Sequence, residues 1–220
     1  MTVADPPQAT SRRSKVDQPG SNRHVTVDGV SWGMYVQLCD EIVRGGTRIT
    51  YDRGRLEIVT PSQLHEQTKK IVARIVEAYG VLAGVPVDGL GSMTMRREVL
   101  DRGLEPDECY YIQNAAILAD GHEIDLAIDP PPDLAIEIDI PPPDIAKQPI
   151  YAALGVPEVW RYDGRRVAYL ARQADGRYVE VERSLALPGL DNGWVNDLLA
   201  IGLARGQSAA VAELARRMGN

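Results

Sequence analysis

Apolar positions along this chain recur with two spacings, and the switches between them outline its elements. Leu64, Thr68, Ile71, Val72, Ile75, Val76 and Tyr79 follow one face of a helix. Thr60 as cap, Pro61 at the first helical position and Gln63 mark its start, and Gly80 and Gly84 lie near its end. His65 falls on the edge of the apolar stripe, and Glu66 points toward the polar side. Upstream, residues 31–43 read as a helix capped by Ser31, and 47–59 as a hairpin turning at Asp52-Arg53-Gly54.

The spacing then shortens to that of strands. Strands are expected at 86–97, 103–113, 133–140 and 156–163, with a hairpin of arms 166–172 and 177–182 turning at Asp175-Gly176. Pro106 lacks a ladder donor, so its end of the strand should be an edge or a bulge. Residues 114–132 read as irregular. A helix ends at Leu154 and is closed by Gly155; Pro149 disfavours helix at Gln148, which leaves Lys147 just before the helix or in its first turn. One or two Ala/Leu-rich helices at 193–218 would cover the sheet. This order predicts an α/β fold, a mixed β-sheet flanked by helices.

Composition narrows the class. At 220 residues and 44% hydrophobic the chain can bury one domain-sized core, and with no Phe that core must be Leu, Ile, Val, Tyr and Trp. Cys39 and Cys109 make no metal-ligand spacing, which fits a reduced, cytoplasmic protein. No stretch approaches the ~18 apolar residues of a membrane span. Residues 1–24 read as a disordered tail, and 25–220 as a single domain. The tail carries Arg12, Arg13, Lys15 and Arg23 against Asp5 and Asp17, a net +2, so the chain's −7 leaves −9 on residues 25–220. Such an acidic body is a poor general binder of nucleic acid, whose phosphates need Lys and Arg.

Two acidic segments carry the candidate chemistry: Glu105-Pro106-Asp107 and Glu137-Ile138-Asp139. In the second, apolar residues at 134, 136, 138 and 140 alternate with Glu137 and Asp139, so a strand puts both carboxylates on one face. Two strands that each bring a carboxylate can hold a hard divalent cation. The plain alternative is the solvent face of an antiparallel strand, with Lys147 a surface lysine and His65 a packed or capping histidine.

Five segments in order tilt the balance: Gly54 to Ser62 with His65; Glu105-Pro106-Asp107; Pro132 to Ile138; Lys147 with Tyr151; and Leu154 to Asp163. Together, over roughly residues 31–190, they resemble the Uma-type restriction endonuclease family of the PD-(D/E)xK nuclease superfamily. The resemblance implies a restriction-endonuclease-like core, with an N-terminal helix–hairpin and C-terminal hairpin–helix additions. It implies Asp107 and Glu137 as ligands of Mg²⁺ or Mn²⁺ and Lys147 as the catalytic lysine. The superfamily's usual lysine position, two residues after the Glu, holds Asp139 here, which makes Asp139 a candidate third ligand. His65 is a candidate for positioning water or substrate, and Glu57 and Glu66 are further candidate ligands.

The implied activity is metal-dependent cleavage of DNA, with a homodimer as the form suited to cutting a duplex. Two rivals stand beside it: a non-enzymatic interaction protein with a vestigial site, and a metal phosphoesterase acting on small nucleotides. A nuclease should also gather basic residues at the acidic pair, from among Arg53, Arg55, Arg96, Arg97 and Arg102.

Overall fold

The computed structural model of the chain describes residues 11–12, 22–42 and 46–219. Two six-stranded sheets organise it. The first grows from the expected hairpin. A short β1 (Ser11–Arg12) pairs with β2 (Arg23–Asp28), and β2 pairs with the second hairpin arm. The arms are β3 (Arg48–Asp52) and β4 (Arg55–Thr60), joined through Arg53 and Gly54 at positive φ. Beyond β3, skipping the short β5 (Asp88–Gly89) of the other sheet, lie β7 (Arg102–Leu104) and then β6 (Met95–Arg97).

Alternation gives this sheet two unlike faces. Ile49, Tyr51 and Leu56 pack with Tyr35 and Cys39 of α1 (Trp32–Ile42), whose first turn is capped by Ser31 Oγ. The opposite face carries polar rows set by register. His24 and Arg48 flank Val59, and Thr26 and Thr50 flank Glu57.

The second sheet runs β12 (Tyr178–Val181), β11 (Val167–Arg172), β10 (Glu158–Tyr162), β9 (Leu134–Ile138), β8 (Glu108–Tyr111) and β5. Only its central pair, β9 with β10, is parallel. One face carries Tyr110, Leu134, Ile136 and Trp160 against α2 (Gln63–Ala83), α4 (Asn192–Arg205) and α5 (Gln207–Arg217). On the other, Cys109, Ala135 and Val159 meet Ile150, Tyr151 and Leu154 of α3 (Gln148–Leu154). With helices on both sides, every residue of β9 is buried, Glu137 included.

The structure departs from the sequence reading in four places. The expected strand over 103–113 is two strands in different sheets, because Glu105-Pro106-Asp107 crosses between them and Pro106 cannot donate to either ladder. One mixed sheet therefore becomes two. The expected strand over 86–97 shrinks to β5 and β6. The cap of α2 is Ser62, whose Oγ accepts from the His65 amide at 3.2 Å; Thr60 stays in β4, paired with Arg23. That places His65, 3% exposed, in the buried stripe and turns Leu64 out. Lastly, Arg23 and His24, read as the end of a tail, begin β2. The rest of that segment, apart from Ser11, Arg12 and Asn22, lies outside the described residues. Among the described residues no helix is long and apolar enough to cross a membrane.

Gly103 of β7 shows how tightly the first sheet holds α1. A Cβ there would lie 2.1 Å from the Tyr35 hydroxyl. Tyr35 cannot swing away, because it is fully buried and stacks on Tyr51 at 4.8 Å. Gly103→Ala is expected to destabilise the protein by about 1–3 kcal/mol in chemical denaturation, as overpacking does.

Candidate active site

The crossing segment sets the first carboxylate. Glu105 belongs to the first sheet: its amide donates to Ile49 O, and its carboxylate accepts from the Ile49 amide and Thr94 Oγ1. Two residues later, the Asp107 amide donates to Ile136 O (3.1 Å) and Asp107 Oδ2 accepts from the Ile138 amide (2.8 Å). Asp107 is thereby tied on both sides of Glu137 in β9. Its Oδ1 meets His65 Nε2 at 2.8 Å.

The tautomer of His65 follows from its other neighbour. Asn22 Oδ1 accepts from the Ser62 amide, so its Nδ2 faces His65 Nδ1 as a donor at 3.0 Å. Nδ1 then accepts, and Nε2 carries the proton given to Asp107. Burial pushes the Asp107 carboxyl up, but the His65 hydrogen bond, the Lys147 charge and the Ile138 amide outweigh it and hold it below its ordinary value.

Glu137 is 2% exposed on the α3 face of β9. Tyr151 donates to its Oε1 in a short hydrogen bond, and Lys147 Nζ donates to its Oε2 at 2.5 Å. Both donors come from α3 and from Lys147, the residue just before it. Burial is the largest influence on Glu137. Lys147 offsets part of it, Asp107 and Asp139 add to it, and the carboxyl is pushed up to about 8. Burial also opposes the Lys147 charge, yet Glu137, Asp139 and Asp107 hold its ammonium above the ordinary lysine range.

The other candidates divide. Asp139 follows β9, and its Oδ2 accepts from Arg161 Nε at 2.7 Å. Glu57 is fully buried and committed to structure. It accepts from His24 Nδ1 and from the amides of Asp144 and Ile145, which fastens the proline-rich loop 141–147 over the pair. Glu66 points away and pairs with Lys69 at 2.8 Å, as a polar-side helical residue should. Among the described residues no group of three or more His, Cys, Asp and Glu side chains is arranged to hold a metal ion, so a cage of Asp107, Glu137 and Asp139 is not formed.

The expected arginines are elsewhere. Arg53 and Arg102 pair with Asp52, Arg55 with Asp28 and Arg96 with Asp40, and Arg97 lines a cleft beside Trp32 and Val99. Arg48 and Arg161 take their place at the acidic pair. With Asn22, His24 and Tyr151, they are what the sequence reading missed. Arg48 had a legible signal: a hairpin turning at residues 53 and 54 puts 48 and 57 on one face. Tyr151 stands in the fourth segment of the resemblance without a role of its own; it packs in the core and donates to Glu137.

Two hollows meet at Lys147. One is lined by Asp107, His65, Arg48 and Pro143; the other, about 260 Å³, by Glu137, Asp139, Tyr151 and Arg161. A larger cleft, about 910 Å³, lies around Cys39, Arg96 and Leu126 and holds none of these acids.

Two sheets flanked by helices make a restriction-endonuclease-like fold, that of the PD-(D/E)xK-like nuclease superfamily. The sequence model of the Uma2 family, described as "Putative restriction endonuclease", matches residues 32–205, and the chain belongs to that family. No curated protein matches the chain.

Glu57 generates a pH expectation. Burial raises its carboxyl, but the His24 hydrogen bond, the two amides and Lys147 outweigh this and leave it below the ordinary 4.5. A carboxyl lowered in the folded state stabilises above the unfolded value and loses that contribution as pH falls through the folded one. Wild type should therefore lose stability below about pH 4.5 more steeply than Glu57→Gln. At pH 7 the variant should be less stable by about 2–3 kcal/mol, measured by denaturant titration across pH.

Proposed function

We propose that the protein is a metal-dependent endonuclease that hydrolyses phosphodiester bonds of DNA, using Mg²⁺ or Mn²⁺. The observation that carries this is the juxtaposition of two buried carboxylates, Asp107 and Glu137, with the ammonium of Lys147. Asp107 and Glu137 would hold the cation. The donor set fits: each carboxylate oxygen keeps acceptor capacity beyond its protein partner, and the crowded negative charge that raises Glu137 is what a cation relieves. Two carboxylates without a full protein cage suit Mg²⁺, which keeps several waters. When bound, the ion supplies phosphate charge neutralisation and a bound water of lowered pKa.

The chain's own groups do the rest. Lys147 stays protonated and faces the charge that builds on the phosphate oxygens. Tyr151 donates to Glu137 and fixes its orientation. His65 donates a hydrogen bond from Nε2–H to Asp107 Oδ1, which makes it a positioning residue for that carboxylate. Arg161 holds Asp139 aside. Pro142 and Pro143 wall the pair from bulk water. A duplex cut needs two such sites, which a homodimer would supply.

The depth of the pair favours a second reading, a phosphoesterase acting on small nucleotides. Both carboxylates are 2% exposed, and the larger adjoining hollow is about 260 Å³. Turnover of mononucleotide esters with no gain from longer DNA would select it.

Cleavage of single- and double-stranded DNA with Mg²⁺ or Mn²⁺ tests the proposal. Activity should vanish in Asp107→Ala and Glu137→Ala and fall about 10²–10³-fold in Lys147→Met, the scale for losing one preorganised charge donor. Activity surviving in both alanine variants would reject these ligands. Tyr151→Phe should weaken Mg²⁺ binding about 10–100-fold by calorimetry while the fold is kept.

A further inference from the structure

Arg48 is a buried base that the proposed chemistry leaves unused. It opens β3, directly beside the crossing segment, and the two hydrogen bonds between Ile49 and Glu105 clamp that junction. Its register opposite Val59 turns the side chain toward the polar face, with His24 and Glu57. There it is 9% exposed and lines, with Asp107, His65 and Lys147, a hollow of about 10 Å³, room for a single oxygen atom.

Its hydrogen bonding is incomplete. Nη1 donates at 3.3 and 3.4 Å to the carbonyls of Gly46 and Thr47. Nε is buried and has no hydrogen-bond partner; the nearest acid oxygen, Asp107 Oδ1, is 3.7 Å away, outside hydrogen-bond range. A guanidinium has five donors in a rigid plane and is costly to bury without acceptors. If Arg48 served only to neutralise Asp107, a hydrogen-bonded ion pair would be the natural geometry. Asp107 gives those positions to His65 and the Ile138 amide instead.

The local charge count points the same way. Asp107, Glu137, Asp139 and Asp144 are faced by Arg48, Lys147 and Arg161, four acids against three bases. Glu57 is taken up by His24 and the loop amides. A divalent cation would leave this set positive, which suits an anion such as a phosphate.

We infer that Arg48 binds a non-bridging oxygen of the substrate phosphate, on the His65 side of the acidic pair and across from Lys147. This rests on the phosphodiesterase reading of that pair. It adds a recognition group from the N-terminal sheet to a site otherwise built on the second sheet. Guanidinium recognition of phosphate is directional, which a lysine at this place would not reproduce.

Calorimetry with Mg²⁺ present, titrating thymidine and thymidine 5′-monophosphate, tests it. Wild type should prefer the monophosphate by about 10–100-fold, the range for hydrogen bonds between charged groups. Arg48→Met should cut that preference about 10-fold while circular dichroism stays near wild type; the Mg²⁺ ion and Lys147 keep the remainder. Arg55→Met, on the surface, should change nothing. A folded Arg48→Met that keeps the full preference overturns the inference, as does a wild type that shows none. If Arg48→Met does not fold, Arg48→Gln decides by the same readout, and failure of both to fold assigns Arg48 to structure and overturns the inference. DNA cleavage is run in parallel. Cleavage with an unchanged preference in Arg48→Met sinks this inference and leaves the nuclease standing. A reduced preference with no cleavage by wild type sinks the nuclease and leaves the phosphate site.

Discussion

Everything at the acidic pair depends on the passage of the chain from one sheet to the other through Glu105-Pro106-Asp107. The two acids are used in opposite directions. Glu105 reaches back into the first sheet, to the Ile49 amide and Thr94. Asp107 reaches forward into the second, to the Ile138 amide. Pro106 between them has no donor to lose in either ladder. The two sheets are therefore stitched within three residues. The position of Asp107 relative to Glu137 follows from backbone hydrogen bonds rather than from flexible side chains.

The second constraint is electrostatic. Three carboxylates sit where water reaches poorly, and unpaired charges there would cost several kcal/mol each. The fold answers with bases from three different places: Arg48 from β3, Lys147 from the start of α3 and Arg161 from β10. Hydrogen bonds from Tyr151 and His65 complete the set. Removing one member leaves its partner buried and unmatched, so the group is cooperative and its members are not interchangeable.

Much of this was legible in the sequence. The alternation around Glu137, the stripe of α2 and the hairpin turn at Arg53-Gly54 are local patterns, and they formed where local patterns put them. Asp107, Glu137 and Lys147 were legible only as a set, because their meaning lies in their order along the chain. What stayed hidden was non-local. Nothing near residue 23 announces a strand, since β2 exists because β4 offers it an edge. The split at Pro106 was visible as a missing donor, but whether that means a bulge or a change of sheet depends on packing elsewhere. His65 and Glu57 differ for the same reason: each looks polar and ambiguous alone, and its role is set by partners 42 and 87 residues away.

β2 also bears on where the working unit begins. The family match starts at residue 32, yet Asn22 orients His65, His24 and Thr26 engage Glu57 and Asp144, and all three precede it. The boundary of recognisable ancestry and the boundary of mechanical support therefore do not coincide. The matched region holds Asp107, Glu137 and Lys147. Part of the scaffolding that aims them lies in the flank before it, so how rigidly the acids are held is set partly by residues outside the match.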